Sequence, residues 1–368
     1  MSMIPQNDLR RQQQAFADEL KAAICAVCDR GWYALGEEVQ GFEAEFAEYC
    51  GVAHCVALNS GTDALELALR SLGIGKGGAV ATVANAGGYA STAIRVVGAI
   101  PHYVDVDPTS MNMSVDSLRS AIARVSAVIV THLYGRLADM DAVRSLAQAS
   151  GVAVIEDASH AHGAARAGAR AGAMSDIACF SFYPTKNLGA AGDAGAIVTA
   201  DDGLAQRCRQ LAQYGWSQRY HAELQGGRNS RMDEIQAAVL RLKLPHLDGW
   251  NERRRQIGSQ YAAGLREIPG LHLHERGSSD DTVHLFVITC PDRDAVIAAL
   301  HQAGVGATAH YPVADHVQPA FAACHRAESL SVTEGLCASV LSLPCYPEIT
   351  DDEVTMVIRA VRDVFGDD

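Results

Sequence analysis

Between His54 and Ala200 the chain alternates short apolar, β-branched runs with segments of helical periodicity. The runs read HCVALNS, ALELALRSLG, AVATVA, IPHYVDVD, SVDSLRSAIA, AVIVTHLYG, DMDAVRSLAQASG, VAVIEDAS, DIACFSFY and GAIVTA. Such a pattern leaves few folds open, because continuous apolar strands must be covered on both faces and parallel neighbours need helical crossovers. It predicts an α/β architecture, a mostly parallel sheet sandwiched by helices. In sheets of this kind ligands gather beyond the carboxyl ends of the strands. Three stretches each follow an apolar run directly and are therefore singled out: Asn59–Thr62, Glu156–His160 and Tyr183–Lys186.

After Arg228 a helical stretch, RMDEIQAAVLRLKL, is interrupted by Pro245 and resumes through WNERRRQIGSQYAAGL. This divides the chain into a large unit, residues 1–248 with an N-terminal helical segment, and a smaller α+β unit, residues 249–368. The last helix of the smaller unit opens on a capping box, Thr350 to Glu353. With 368 residues, 48% of them hydrophobic, the chain can fill two cores. Its formal charge of -13 gives no general pull on nucleic acid or anionic membrane, so any phosphate must be held by a local constellation. The N-terminus lacks an apolar signal core and no later segment is long and apolar enough to span a bilayer, which points to a cytoplasmic protein. The ten cysteines suit reduced core thiols, and Cys25-Ala-Val-Cys28 reads as two more of these instead of a redox or zinc pair.

Gly73-Ile-Gly75-Lys-Gly-Gly78 spells a dinucleotide loop in the wrong context, after a helix and before a strand, and reads as a connection. Val56 to Leu65 has the productive order: a strand runs into Asn59-Ser60-Gly61-Thr62 and a helix follows. Free amides at that helix start, with two hydroxyls, make a phosphate seat, although Ser, Thr and Asp also serve as ordinary caps. Asp157 ends a buried strand and needs a partner; Lys186 sits in a turn some thirty residues later, near the Ser181 hydroxyl. Singly, a salt bridge and a solvated lysine explain these residues. Together they are the parts pyridoxal phosphate requires, with a lysine for the Schiff base, a carboxylate for the pyridine nitrogen and a seat for the phosphate. No spacing of His, Cys and carboxylate suggests a metal.

At these residues the sequence resembles the DegT family of nucleotide-sugar aminotransferases, which have the type I fold of pyridoxal-phosphate enzymes. The motifs run from the Gly36 region through ALNSGTDALELAL, VGAIPHYVDVD, HLYG, VIEDASHAHGA, FSFYPTKNLGAAGDAGAIVT and GGRNSRMDEIQAAVLRLKLPHLD to HYPVADHVQPAF. The resemblance implies a large domain with a seven-stranded sheet, a smaller C-terminal domain, and pyridoxal or pyridoxamine phosphate as cofactor. It further implies that Lys186 carries the cofactor, Asp157 pairs with its ring nitrogen and His160 lies near the ring. Gly61, Thr62 and Ser181 would hold the phosphate, joined by Asn229 from a second subunit, so that a homodimer shares its active sites. Where many members have an aromatic that stacks on the cofactor, this chain reads Val83-Ala-Asn-Ala-Gly87-Gly88-Tyr89, which places Gly87 there and leaves Tyr89 as the candidate ring.

The implied reaction takes an amino group from L-glutamate to a keto sugar on a nucleotide. Arg219 and Arg231, in a basic and aromatic patch, could bind the donor carboxylate or a diphosphate, or form interface salt bridges. Tyr311 and His316 fall where the small domain of the family closes on the sugar. Tyr183, before Pro184-Thr185-Lys186, resembles members that aminate position 3; many that act on position 4 have histidine there. A 4-keto-sugar or keto-cyclitol aminotransferase, a sugar dehydratase (associated with loss of the lysine retained here as Lys186) and a non-catalytic regulator are the competing readings.

Overall fold

The computed structural model describes residues 3–274, 278–321, 324–326 and 329–366. Seven strands build the main sheet: β1 His54–Leu58, β2 Ala79–Thr82, β3 Ile100–Tyr103, β4 Ala127–Thr131, β5 Ala153–Asp157, β6 Ile177–Ser181 and β7 Gly195–Thr199. Their spatial order is β1-β7-β6-β5-β4-β2-β3, and a two-residue strand, His325–Arg326, extends the β3 edge in parallel. Neighbours from β6 to β3 are parallel; β7 alone runs the other way, antiparallel to both β1 and β6. The reason is the connection. The steps β2 to β3 and β4 to β5 are bridged by helices, and β5 reaches parallel β6 through the long stretch 158–176 with its small hairpin Ala165–Arg166/Ala169–Arg170, whereas between β6 and β7 the chain folds straight back, Phe182 bonding to both Ala190 and Ala194.

The two faces of the sheet carry separate cores. Along β5, Val154 packs with the helices Glu37–Cys50 and Met140–Ser150, while Ile155 packs with Gly61–Ser71, Tyr89–Val96 and Asp202–Ala212. Alternation along a strand thus covers both faces, which is why these runs read as continuous hydrophobic stretches. Gly73-to-Gly78 is a connection, entered with Gly73 at φ +74 after helix Gly61–Ser71.

Pro245 lies in a short 3-10 turn, Leu244–His246, between helices Glu234–Lys243 and Leu247–Gly264. Beyond it a three-stranded antiparallel sheet, His272–Leu273, Phe286–Thr289 and Val340–Leu343, shares a third core with helices Leu247–Gly264, Arg293–Gln302 and Asp351–Phe365. The capping box forms: Thr350 Oγ1 accepts from the Glu353 amide at 3.2 Å and Glu353 Oε2 accepts from the Thr350 amide at 2.9 Å. Ile4 belongs to this third core, its amide donating to Gly304 O and its carbonyl accepting from Gly306 N. Conversely, Ala314, Leu330 and Cys337 pack with Ala84 and Tyr103 at the edge of the main sheet.

Seven of the ten cysteines are buried, none in a disulfide. Cys25 and Cys28 depart from the expected core position: both are exposed on helix Ala17–Arg30, which buries only Val27 within the single chain. No described helix is long and apolar enough to cross a membrane.

Candidate active site

A cavity of about 710 Å³ opens at the carboxyl ends of β1, β4, β5 and β6. On its floor the backbone leaves β1 at Leu58 and turns through Asn59 and Ser60 into helix Gly61–Ser71. Ser60 caps that helix, its Oγ accepting from the Asp63 amide at 3.1 Å and its carbonyl from Ala64 N. The Gly61 and Thr62 amides are first-turn donors without helical acceptors, and both residues line the cavity. The floor requires glycine twice. A Cβ on Gly61 would lie 2.6 Å from Ser181 Cβ, and one on Gly195, in β7 beneath, would run into the Ser60 backbone. Ser181 Oγ accepts from the Tyr183 amide at 3.3 Å, so its hydrogen is available to an anion.

Asp157 ends β5 directly opposite Thr131 of β4, whose Oγ1 donates to Asp157 Oδ2 at 3.4 Å; the Ser159 amide donates to Oδ1 at 3.2 Å. The preceding Glu156 points to the other face, where it accepts from His132 Nε2 and the Gly172 and Met174 amides. Asp157 is 5% exposed, and among the described residues no ion pair reaches it. Lys186 occupies the end of a turn in which its amide donates to Tyr183 O at 2.8 Å, with Pro184 at the second position. Gly189 lets the chain fold back, since a Cβ there would meet the Pro184 carbonyl. Desolvation lowers the pKa of Lys186 to about 8, against the opposing pull of the Asp157 charge.

His160 accepts from the Tyr134 amide at Nδ1, 3.2 Å, so its hydrogen sits on Nε2. Tyr134 presents that amide from a left-handed conformation, φ +60. Against the His160 ring, 4.4 Å between centroids, lies His284, a residue that no local pattern marked. Burial holds the His284 pKa well below its ordinary value. Its Nδ1 donates to Asn187 Oδ1 at 2.8 Å; Asn187 donates to Asn251 Oδ1 and Thr282 O, and Asn251 donates to His162 O. This buried chain ties the residue after Lys186 to the segment that precedes strand Phe286–Thr289. Gln6 and Asn7 also line the cavity, again without a sequence signal.

Of the residues nominated from the sequence, Gly61, Thr62, Asp157, His160, Ser181, Tyr183, Lys186, Tyr89 and Tyr311 line this cavity together. Tyr89 and Tyr183 are on its rim, 51% and 53% exposed. Four others lie elsewhere. Arg219 is exposed with its guanidinium 4.9 Å from the Tyr220 ring, and Arg231 Nε donates to Asn229 Oδ1 at 2.7 Å on the surface. His316 is buried outside the cavity, its Nε2 3.0 Å from Glu334 Oε1. Arg228, close in sequence to Asn229 and Arg231, forms salt bridges within its own chain, to Asp63 and Glu66. No group of three potential metal ligands occurs among the described residues.

Comparison with known proteins agrees with this geometry. The model of the DegT/DnrJ/EryC1/StrS aminotransferase family matches residues 14–362. A Streptomyces venezuelae relative, dTDP-3-amino-3,4,6-trideoxy-alpha-D-glucose transaminase, is 44% identical over 365 residues, covering 98% of this chain and 96% of its own. Among solved structures, that of S. venezuelae DesV in complex with ketimine intermediate matches with a TM-score of 0.96 at 43% identity, covering 99% of each chain. A Bacillus subtilis structure, NtdA with bound cofactor PMP, matches with a TM-score of 0.93 at 29% identity, covering 100% of this chain and 86% of that one.

Proposed function

Because the chain belongs to the DegT/DnrJ/EryC1/StrS aminotransferase family, we propose that it transfers the amino group of L-glutamate to C3 of a keto-deoxysugar carried on a nucleotide, with pyridoxal phosphate as its cofactor. That it is a sugar aminotransferase follows from the family and from its relatives; the position, the donor and the roles of individual residues are our reading. The observation that carries it is one cavity holding a buried carboxylate that no ion pair reaches among the described residues, a lysine with a lowered pKa and a helix start too tight for a side chain at Gly61. Each feature is unfavourable for an empty fold, and each is answered by one part of the same cofactor.

The residues fit that group. Gly61 and Thr62 amides with the Thr62 and Ser181 hydroxyls would hold the phosphate, and Asp157, whose own bonds are long, would hold a proton on the ring nitrogen. Bound there, pyridoxal phosphate supplies an electrophilic carbon and a ring that draws electrons from the Cα of an amino acid. The Lys186 amine, neutral in a useful fraction near pH 8, takes the proton released from Cα of the donor in one half-reaction and gives a proton to the accepting sugar carbon in the other. His160, fixed through Nδ1 by the Tyr134 amide, borders the ring with its Nε2–H as donor.

Asn229, Arg219 and Arg231, which do not line the cavity of their own chain, fit a homodimer in which they complete the partner's site. Large exposed apolar side chains support an interface, Trp32, Tyr33, Leu35, Tyr214 and Tyr220 among them. The test of the substrate is a panel of 3-keto and 4-keto nucleotide sugars offered to protein loaded with pyridoxamine phosphate. Return of the visible absorbance of the pyridoxal form with 3-keto sugars is expected; return with 4-keto sugars alone would overturn the assignment to C3.

A further inference from the structure

The loop after β2 carries two consecutive glycines, Gly87 and Gly88, in left-handed conformations, φ +78 and +81. What they make room for is the segment that returns from the small unit. A Cβ on Gly87 would fall 2.9 Å from Cε1 and 3.0 Å from Cδ1 and Cζ of Tyr311; one on Gly88 would fall 3.3 Å from Cε2 of Phe321. A side chain at position 87 and the ring of Tyr311 therefore claim the same space, and the chain fills it from position 311.

The Tyr311 ring is held there from several sides. Tyr89 meets it edge-on, 6.2 Å between centroids, and Tyr134 Oη donates to the carbonyl of the preceding residue, His310, at 2.5 Å. Four residues on, buried Asp315 fastens the segment to the same glycine loop. Its amide donates to Ala84 O at 2.8 Å, and its Oδ2 accepts from Ser91 Oγ at 2.5 Å, itself an acceptor for Tyr103 Oη at 2.9 Å. Tyr311 lines the cavity with Asp157, His160 and Lys186, and Ala86 of the glycine loop and Leu133, next to Tyr134, are among its apolar lining.

We infer that Tyr311, seated on Gly87, is the aromatic surface against which the ring of the cofactor lies, and that Tyr89 is its outer brace. This rests on the pyridoxal-phosphate reading of the site. A flat ring anchored by its phosphate at Gly61–Thr62 and by its nitrogen at Asp157 needs an apolar face beside it, and a contact between offset or edge-on rings adds to the burial of area. In this chain that face arrives with the segment 309–311, which lines the cavity and is tied at Asp315 to the β2 end of the sheet, so cofactor binding and the placement of this segment are one event.

The experiment is titration of apo-protein with pyridoxal phosphate, followed by absorbance and by induced circular dichroism in the visible band. Tyr311→Phe is expected to keep the Kd and the band, and Tyr311→Ala to raise the Kd about three- to tenfold, the range expected for one aromatic contact, and to shift the band. Gly87→Ala should weaken binding more in the wild type than in the Tyr311→Ala background, because the strain of its backbone is common to both and only the displacement of the ring differs. Far-ultraviolet dichroism identifies any variant that fails to fold, and the folded Phe variant then carries the comparison with Tyr311→Leu. Folded wild type that never develops the band overturns the cofactor reading and this inference with it. Wild type that does, alongside a Tyr311→Ala protein of unchanged Kd and band, overturns the inference alone.

Discussion

The two sides of the cavity are built by different means. The strand-end side takes each of its groups from the residues that directly follow an apolar strand: Gly61 and Thr62 after β1, Asp157 at the end of β5, and Ser181 and Lys186 at and after β6. The opposite side is assembled from segments far apart in the chain: Gln6 and Asn7, His284, and Ala309 to Tyr311, the last seated on the loop that follows β2. The first is rigid because a sheet with two cores holds it; the second depends on contacts between the two units. In the proposed reaction, chemistry falls to the first and enclosure to the second.

The difference can be broken most sharply at Lys186. Lys186→Ala should reduce turnover by at least about 10³-fold, while the protein keeps its fold and still binds the cofactor without covalent capture. Single-turnover absorbance with L-glutamate measures this, and activity near that of the wild type would remove the strand-end side from the chemistry. Asp157→Asn, nearly isosteric and still able to pair with Thr131, should cost on the order of 10² in the same assay. The pH dependence comes next. With a lowered Lys186 pKa of about 8, the neutral fraction of the amine rises with pH, so covalent capture of pyridoxal phosphate by apo-protein should accelerate about tenfold from pH 7 to 9 and then level off. An unperturbed lysine would still be gaining rate above pH 9, and that outcome would contradict the desolvated site. The smallest effect brings in Asn229, a residue on neither side. Folded Lys186→Ala and Asn229→Ala chains, mixed and allowed to exchange, should recover up to about a quarter of wild-type sites if two subunits share each one. No recovery in verified mixed dimers would confine the site to a single chain.

The same contrast explains what the sequence disclosed. A parallel sheet buried on both faces imposes long apolar runs, and cavities open where those runs end, so the place of Asp157 and Lys186 on the cavity wall was legible from position, and their combination with Ser181 and the turn after β1 pointed to a cofactor. Glycines of the strand-end side were legible for a related reason: close approach of Gly61 to Ser181 leaves a local turn-and-helix signature. His284 had none. It lies two residues before strand Phe286–Thr289 and acquires its role only through Asn187 and the His160 ring, contacts made across the fold. Gly87 was conspicuous but ambiguous, since a glycine states that space is wanted without stating what fills it. Tyr89 was its nearest aromatic in sequence, whereas Tyr311 is the ring that lies against it in space. Cys25 and Cys28 failed for the opposite reason, because helix Ala17–Arg30 turns most of its surface outward from its own chain.

The place of Ile4 in the third core has a consequence for motion. The backbone passes between the two units at residues 5–16, again at the Pro245 break, again before Ala314, and once more where helix Ser331–Ser339 hands over to strand Val340–Leu343. Units laced together by four strands of covalent chain cannot swing about one linker; the movement open to them is a short slide of one packed face along another. Proteolytic nicking at residues 244–247 should therefore leave the two halves together on a sizing column, as a protein cut at a true single hinge would not remain.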